Sequence, residues 1–343
     1  MTFNKVTSRI KSVCEDPFGL RVTDDNIDPL TVPARLVKNV TGVEIKSNWL
    51  DGKLTTRGAI KNYYFRNSGI DFGNAFIAAF DPIVNSGNLF GGSATAKYQL
   101  NRFLLFRASY EYATRIPDED EIYGDGLFLR SNPELRPERS HNLNVGFRID
   151  KIFSGNRSVY LEFSTFLRST QYRIFSRICS FDVINDNGPA EEALGAELDF
   201  ALDITSSLSF NGNATFQDIR LTEATDFTEE FLVGERFPNI PYFFFNTGLR
   251  YKRADILKNT ILTAFAYQSF VEEYFLFFRA SPKVQPPTIP QRNIIRAGVT
   301  AEVKNWTVTA ESNNLFNADV FEEFREQRPG RTWHLKVNYR FLL

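Results

Sequence analysis

From Trp333 to Phe341 every second residue is apolar: Trp333, Leu335, Val337, Tyr339 and Phe341 alternate with His334, Lys336, Asn338 and Arg340. A strand points successive side chains to opposite faces, so this segment has one apolar face and one strongly polar face. The pattern recurs upstream. Ile295, Ala297, Val299, Ala301 and Val303 oppose Arg296, Thr300 and Glu302, while Leu194, Ala196, Leu198, Phe200 and Leu202 oppose Glu197, Asp199 and Asp203. Leu208, Phe210, Ala214 and Phe216 interleave with Ser209, Asn211, Asn213 and Thr215, and Leu143, Val145, Phe147 and Ile149 with Asn144 and Arg148. Residues 53–66 and 259–268 alternate less cleanly but read as strands.

Short polar turns fall at Asp51-Gly52, Asn101-Arg102, Gly155-Asn156, Thr205-Ser206, Ala254-Asp255 and Lys304-Asn305. Between successive turns lie two strands and one long stretch rich in Gly, Pro, Asn and charge. Tight turns at one rim and long loops at the other suit a membrane barrel better than a soluble sandwich. The pattern predicts thirteen strands: 42–50, 53–66, 92–99, 103–113, 141–152, 157–168, 193–203, 207–217, 241–252, 259–268, 292–303, 306–313 and 331–342, with a fourteenth in 1–12. The expected fold is all-β, one antiparallel meander without a separate globular domain. A helical domain or a parallel strand pair would contradict it. Trp333, Leu335, Val337, Tyr339 and Phe341 are expected to point outward to lipid, and Lys336, Asn338 and Arg340 to the concave face.

Composition adds to this picture. The 343 residues include 34 Phe and 13 Tyr, which favour strands and interfacial surfaces. A net charge of −1 gives no sign of a nucleic-acid partner. No apolar run is long enough for a membrane-spanning helix, and Met1-Thr2-Phe3-Asn4-Lys5 opens no signal peptide. Cys14 and Cys179, far apart and with only two histidines in the chain, make no metal site; two unpaired thiols are expected. GxSxG, HExxH and phosphate-binding glycine loops are all missing from the sequence, so neither catalytic residues nor a cofactor are expected.

Two phrases carry a resemblance. Asn314-Leu315-Phe316-Asn317, then Pro329-Gly330-Arg331, then the strand through Tyr339 and Phe341, resembles the C-terminal signature of TonB-dependent outer-membrane receptors. Upstream, Arg115-Ile116-Pro117 and Asn132-Pro133-Glu134-Leu135-Arg136-Pro137-Glu138 followed by Ser140 resemble that family's mid-barrel segment, where one phrase enters an external loop and the other returns from it. The resemblance extends over residues 40–343. It implies a transmembrane antiparallel up-and-down β-barrel of 22 strands in the complete family protein, of which about 13–14 are present here, a partial barrel. Residues 1–39 then read as an external loop and the remnant of a first strand.

What the family does is implied in the same way: import of a scarce solute such as an iron chelate, cobalamin or an oligosaccharide. The implied partners are outer-membrane lipid and lipopolysaccharide, the barrel-insertion machinery, the transported solute, and the TonB complex through a plug domain. Residues 1–39 are too short to be that plug, so the fragment is not expected to drive uptake alone. A passive outer-membrane channel of about fourteen strands, a porin or fatty-acid type, is the alternative, and a non-functional remnant the third reading. Three groups of side chains invite a sharper role. Asp118-Glu119-Asp120-Glu121 with Asp125 suggest a cation site but read better as a solvated loop. Phe270, Tyr274, Phe275, Phe277 and Phe278 suggest a stacking surface but fit an aromatic girdle better. Arg173 and Arg177 suggest attraction of an anionic chelate but fit ordinary rim charges better. His141 and His334 carry no ligand pattern.

Overall fold

The computed structural model describes residues 34–70, 82–125, 128–178, 183–224, 230–256, 259–323 and 326–341. Thirteen long strands form one sheet: β1 Arg35–Trp49, β2 Leu54–Ile70, β3 Pro82–Gln99, β4 Leu104–Arg115, β5 Glu138–Phe153, β6 Arg157–Gln171, β7 Glu191–Asp203, β8 Leu208–Leu221, β9 Phe243–Ala254, β10 Thr260–Val271, β11 Arg292–Val303, β12 Trp306–Asn313 and β13 Thr332–Tyr339. Each pairs antiparallel with the next in chain order, so the sheet is a meander. The fourteenth strand expected in 1–12, Cys14 and Cys179 all lie outside the described residues.

All six turns fall where the polar dipeptides predict them, by two local devices. Leu50, Asp51, Gly52, Gly155, Asn156, Asp255 and Lys304 adopt positive φ, the conformation that reverses a hairpin compatibly with strand twist. At the other two turns a side chain substitutes for the backbone. Asn101 Oδ1 accepts from the Phe103 and Leu104 amides, and Thr205 Oγ1 from those of Ser207 and Leu208.

Register keeps the faces separate across the whole sheet. Ala301 lies opposite Val308, which lies opposite Val337; Thr300 lies opposite Thr309, which lies opposite Lys336. Leu198 likewise meets Phe163 and Ala214, while Asp199 meets Glu162 and Asn213. The apolar face is uncovered along most of its length. Val43 is 70% exposed, Ile60 69%, Phe90 64% and Leu335 74%. Water-exposed apolar area on this scale is foreign to soluble monomers, whose patches reach only a few hundred Å². The polar face is the inner one, because the long loops fold over it. Tyr63, Phe65 and Asn67, on the same face as Arg57 and Lys61, are buried under Ile116 and the 116–137 loop. Trp333, Leu335, Val337 and Tyr339 therefore point outward, and Lys336 and Asn338 inward.

The structure departs from expectation in places and explains one irregularity the sequence already shows. The strands reach further toward the loop rim than predicted, β3 starting at Pro82 rather than 92 and β1 at Arg35 rather than 42. In these extensions apolar residues stand on both faces, Leu36 beside Val37 and Leu89 beside Phe90, so alternation fades while backbone pairing continues. The weak alternation of β2 and β10 comes from inward aromatics. Tyr63 and Phe65 lie against Gly91 and Gly87, and Phe265 and Tyr267 against Gly298 and Gly248, where a Cβ would come within 3.0 Å of the rings. A parallel pair does exist, contrary to the expectation of none. It is confined to Leu129–Arg130 beside Val183–Ile184 in the loop layer, outside the meander. Nor is the loop wholly irregular, for Glu119–Tyr123 forms one helical turn, although no helical domain occurs among the described residues.

Candidate functional site: the polar face and its loop cover

The loops joining β4 to β5 and β6 to β7 are bound together by side chains. Arg115, at the end of β4, places Nε 2.7 Å from Glu138 Oε2 and Nη1 2.9 Å from Glu121 Oε2. Glu138, opening β5, also accepts from the Ile174 amide at 2.6 Å. Burial works to raise the Glu138 carboxyl, but the bonds from Arg115 and Ile174 outweigh it and hold the group below the ordinary carboxylate range. The same pairing raises Arg115. Burial raises Glu191, against the attraction of Arg173.

The phrase that returns the loop to β5 is packed rather than presented to solvent. Pro117 and Pro133 are fully buried, Leu135 is 1% exposed, and Pro137 is buried. Asn67, inside the wall, donates to the Pro133 carbonyl at 2.7 Å. Asn132 donates to the Asn185 carbonyl at 2.7 Å and to Asp186 Oδ1 at 3.1 Å. Asn187 exchanges two bonds with the Arg136 backbone and donates a third to the Tyr172 carbonyl. Tyr123 is buried beneath this lid, which pushes its hydroxyl up to about 12.

The other phrase closes a second corner. Asn314, immediately after β12, is 5% exposed and grips Ala318 through both side-chain atoms. Asn317 Oδ1 accepts from the Arg331 amide at 2.8 Å, and a Cβ on Gly330 would stand 2.6 Å from that oxygen. A side chain at 330 would break the corner that joins the two motif halves. The Leu315 amide donates to the Ile295 carbonyl, while Phe316 is 73% exposed on the outside. These residues hold loops to strands; none of them lines a pocket described here.

Several sequence-level candidates change character. Arg173 and Arg177 are paired, to Glu191 at 3.0 Å and Asp186 at 2.7 Å, so neither offers unmatched charge to a chelate. The acidic run is a capped helical turn in which Glu121 holds Arg115 and Asp118 holds Lys38; among the described residues no acidic cluster is arranged for a metal. Phe270 joins Phe243 and Phe245 on the outer face, as a girdle residue would. Phe275 and Phe278 turn the other way and pack on Tyr242 and Phe237, which are themselves capped by Arg236 and Arg173. Phe277 remains 55% exposed. His141 stacks on Tyr112 and meets the Tyr110 hydroxyl at 2.8 Å.

Sequence reading missed an amide-rich patch on the inner face. Asn211, Asn213, Asn246, Tyr267, Arg296 and Asn313 line an open groove of about 380 Å³. Asn246 bonds Asn213 at 3.1 Å, and Arg296 is neutralised by Glu311. The signal was present as Asn at alternate polar positions of β8, but only register brings β8, β9 and β11 together.

A family model for the TonB dependent receptor-like β-barrel matches residues 33–315. The chain belongs to that family. Among curated relatives, the ferrienterobactin receptor of Escherichia coli (strain K12) is 23% identical over 243 residues, which is 63% of this chain and 31% of the receptor. Among solved structures, the copper transporter OprC superposes with a TM-score of 0.67 at 16% identity, covering 90% of this chain and 48% of OprC. The siderophore receptor PiuA from Acinetobacter baumannii gives a TM-score of 0.65 at 17% identity, covering 89% of this chain and 44% of PiuA. This TonB-dependent receptor barrel thus spans less than half the length of each of these. The family is one of transporters and receptors rather than enzymes.

Proposed function

We propose that this chain forms part of the wall and external loop cover of an outer-membrane receptor that imports a scarce solute, with ferric chelates as the first class to test. The observation that carries the reading is the loop layer docked over the polar face of a sheet whose other face is bare and apolar. Such a sheet has hydrocarbon outside and an aqueous, guarded lumen inside. Relatives named for ferrienterobactin and for siderophores support the iron-chelate class; the likeness to a copper transporter keeps a different metal cargo among the outcomes. The motif residues Arg115, Pro117, Asn132, Pro133, Leu135, Pro137, Glu138, Asn314, Leu315, Phe316, Pro329, Gly330, Arg331, Tyr339 and Phe341 serve on this reading as framework, not as ligand contacts. Residues from Arg35 onward act as barrel on this reading.

Residues 1–343 alone do not drive TonB-dependent uptake on this account. β1 and β13 each pair on one side only among the described residues, and unpaired backbone groups in lipid cost several kcal/mol each. The test is growth of receptor-deficient bacteria on a limiting ferric chelate. Cells would express residues 1–343 behind a signal peptide, or the same residues grafted in place of the matching part of a ferric-chelate receptor, with and without the TonB complex. Energised uptake by the graft and none by the chain alone is expected. Uptake by the chain alone that needs the TonB complex would overturn the claim, and leak that ignores the complex would favour a passive channel.

A further inference from the structure

The inner wall changes character along the sheet. From β2 to β7 it carries charge, with Arg57, Lys61, Arg107, Glu111, Glu162 and Glu197 on the same face. At the groove over β8, β9 and β10 it is built of amides and hydroxyls. Asn211, Asn213 and Thr215 stand on the inner face of β8, Asn246 on that of β9 and Ser269 on that of β10. Arg296 is the charged residue of the lining, and Glu311 holds it at 3.1 Å. Asp199 borders the groove from β7, opposite Asn213. With a carboxylate at one margin and a paired guanidinium at the other, a ligand gains little from net charge of either sign.

The groove depends on glycine at residue 248. A Cβ there would stand 2.7 Å from the Tyr267 ring and 3.0 Å from Asn211 Oδ1. Tyr267 therefore lies against β9, with 41% of its surface exposed. Beside it the Asn246 amide donates to Asn213 Oδ1 at 3.1 Å. That bond uses one of the two N–H groups of Asn246 and one lone pair of Asn213, so each amide keeps both donor and acceptor capacity. Asn211, Asn213 and Asn246 are all exposed. Ser209 and Gln217, the next polar positions at either end of the row on β8, are tied to Asp203 and to the Pro241 carbonyl and close it.

Spacing selects the ligand. Asn211, Asn213 and Thr215 recur at every second residue of β8, roughly 6.8 Å apart at about 3.4 Å per residue. An extended peptide directs the N–H and C=O groups of alternate residues to one edge with that same repeat. Each Asn amide presents a donor and an acceptor in one plane, as a peptide group does. We propose that the groove binds an extended, uncharged peptide backbone lying over β8 and β9, with one apolar side chain on the Tyr267 ring. The inference rests on the reading of the polar face as a lumen. To the import reading it adds a wall site that recognises secondary amides rather than a metal or an anion.

The test uses the full chain folded in neutral detergent micelles and a dye-tagged hexapeptide of serine and leucine, capped at both ends, read by fluorescence polarisation. Its comparison ligands are the same peptide with every amide N-methylated and a neutral linear trisaccharide added as competitor. The unmodified peptide should bind on the order of tenfold more tightly than the methylated one, and the trisaccharide should not displace it. N213A/N246A should weaken binding about tenfold, and G248A, which fills the groove floor, should weaken it too. N144A, on the same face in β5, should leave it unchanged. Equal binding of the two peptides, displacement by the trisaccharide, or full affinity in N213A/N246A would overturn the proposal, and the first two outcomes need no variant to fold. The lumen reading is checked separately with N338C in a C14S/C179S chain and a water-soluble maleimide. Absent peptide binding with N338C labelled would refute the site alone; absent binding with N338C shielded would refute the lumen reading as well.

Discussion

Strand β6 and the 172–190 loop that follows it are held in place by different means. Every backbone group of the strand's span from Ser158 to Thr170 faces a partner in β5 or β7, whatever its side chain. The loop has one short ladder of its own, Ile174–Ile178 with Val183–Asn187, but it is tied to its neighbours largely by named side chains: Asn187 on Arg136, Asp186 on Asn132, Glu138 on the Ile174 amide. A wall built from backbone ladders tolerates most substitutions that respect its faces. A cover built from side-chain bonds does not, since each replacement removes one of few ties and strands a buried polar group.

The largest effect that could break this comparison lies in the wall, where a substitution violates the face. Val337→Arg should cost about 2–4 kcal/mol of membrane stability if it falls near the bilayer centre, whereas Asn338→Arg, one residue on, should be neutral. The folded fraction seen by heat-modifiable gel migration of a receptor carrying residues 1–343 reports both, and equal loss would mean the faces are misassigned.

In the cover, Glu138→Ala removes two charge-assisted ties and leaves Arg115 with Glu121 alone. A local loss of about 2–3 kcal/mol is expected, visible as faster hydrogen exchange at Ile174 and through 172–190 while amides of β6 stay protected. If strand and loop amides quicken together, the two regions are not independent. Asn187→Ala should cost about 1–2 kcal/mol through its three bonds, opening the 172–190 loop without changing barrel assembly.

The smallest change is protonation. The depressed Glu138 carboxyl contributes stability that is fully present above its unfolded value near 4.5 and is lost as pH falls through the lower folded value. Glu191, raised by burial, has the opposite sign: its contribution improves as pH falls through its raised folded value. Limited proteolysis of the loops should stay flat from neutral pH down to the ordinary carboxylate range and rise only below it. Loops that loosen between pH 7 and 5 would contradict this.

The wall was legible in the sequence for a physical reason. A sheet between lipid and water must alternate, and its turns must be polar, so β7, β8, β11 and β13 announce themselves. Legibility failed where a face is shared. Phe265 and Tyr267 face inward because glycines on adjacent strands leave room for their rings, and only the register reveals those glycines. The cover was illegible because its bonds join distant residues. Nothing local to Arg177 shows that Asp186 neutralises it, or that Asn132 reaches the same carboxylate from 54 residues away. Arg177 lies on a short loop strand, Ile174–Ile178, paired to Val183–Asn187, with Arg173 just before it.

The most direct test of the central claim, a sheet with one lipid face and one lumen face, is a cysteine scan along Thr332–Tyr339. Cys14 and Cys179 would first be replaced by serine, and a fluorophore then attached at each position of the receptor barrel in lipid vesicles. The account predicts that labels at 333, 335, 337 and 339 are quenched by brominated acyl chains and shielded from iodide, with the reverse at 334, 336 and 338. Quenching that does not alternate, or that alternates in the opposite phase, would contradict it.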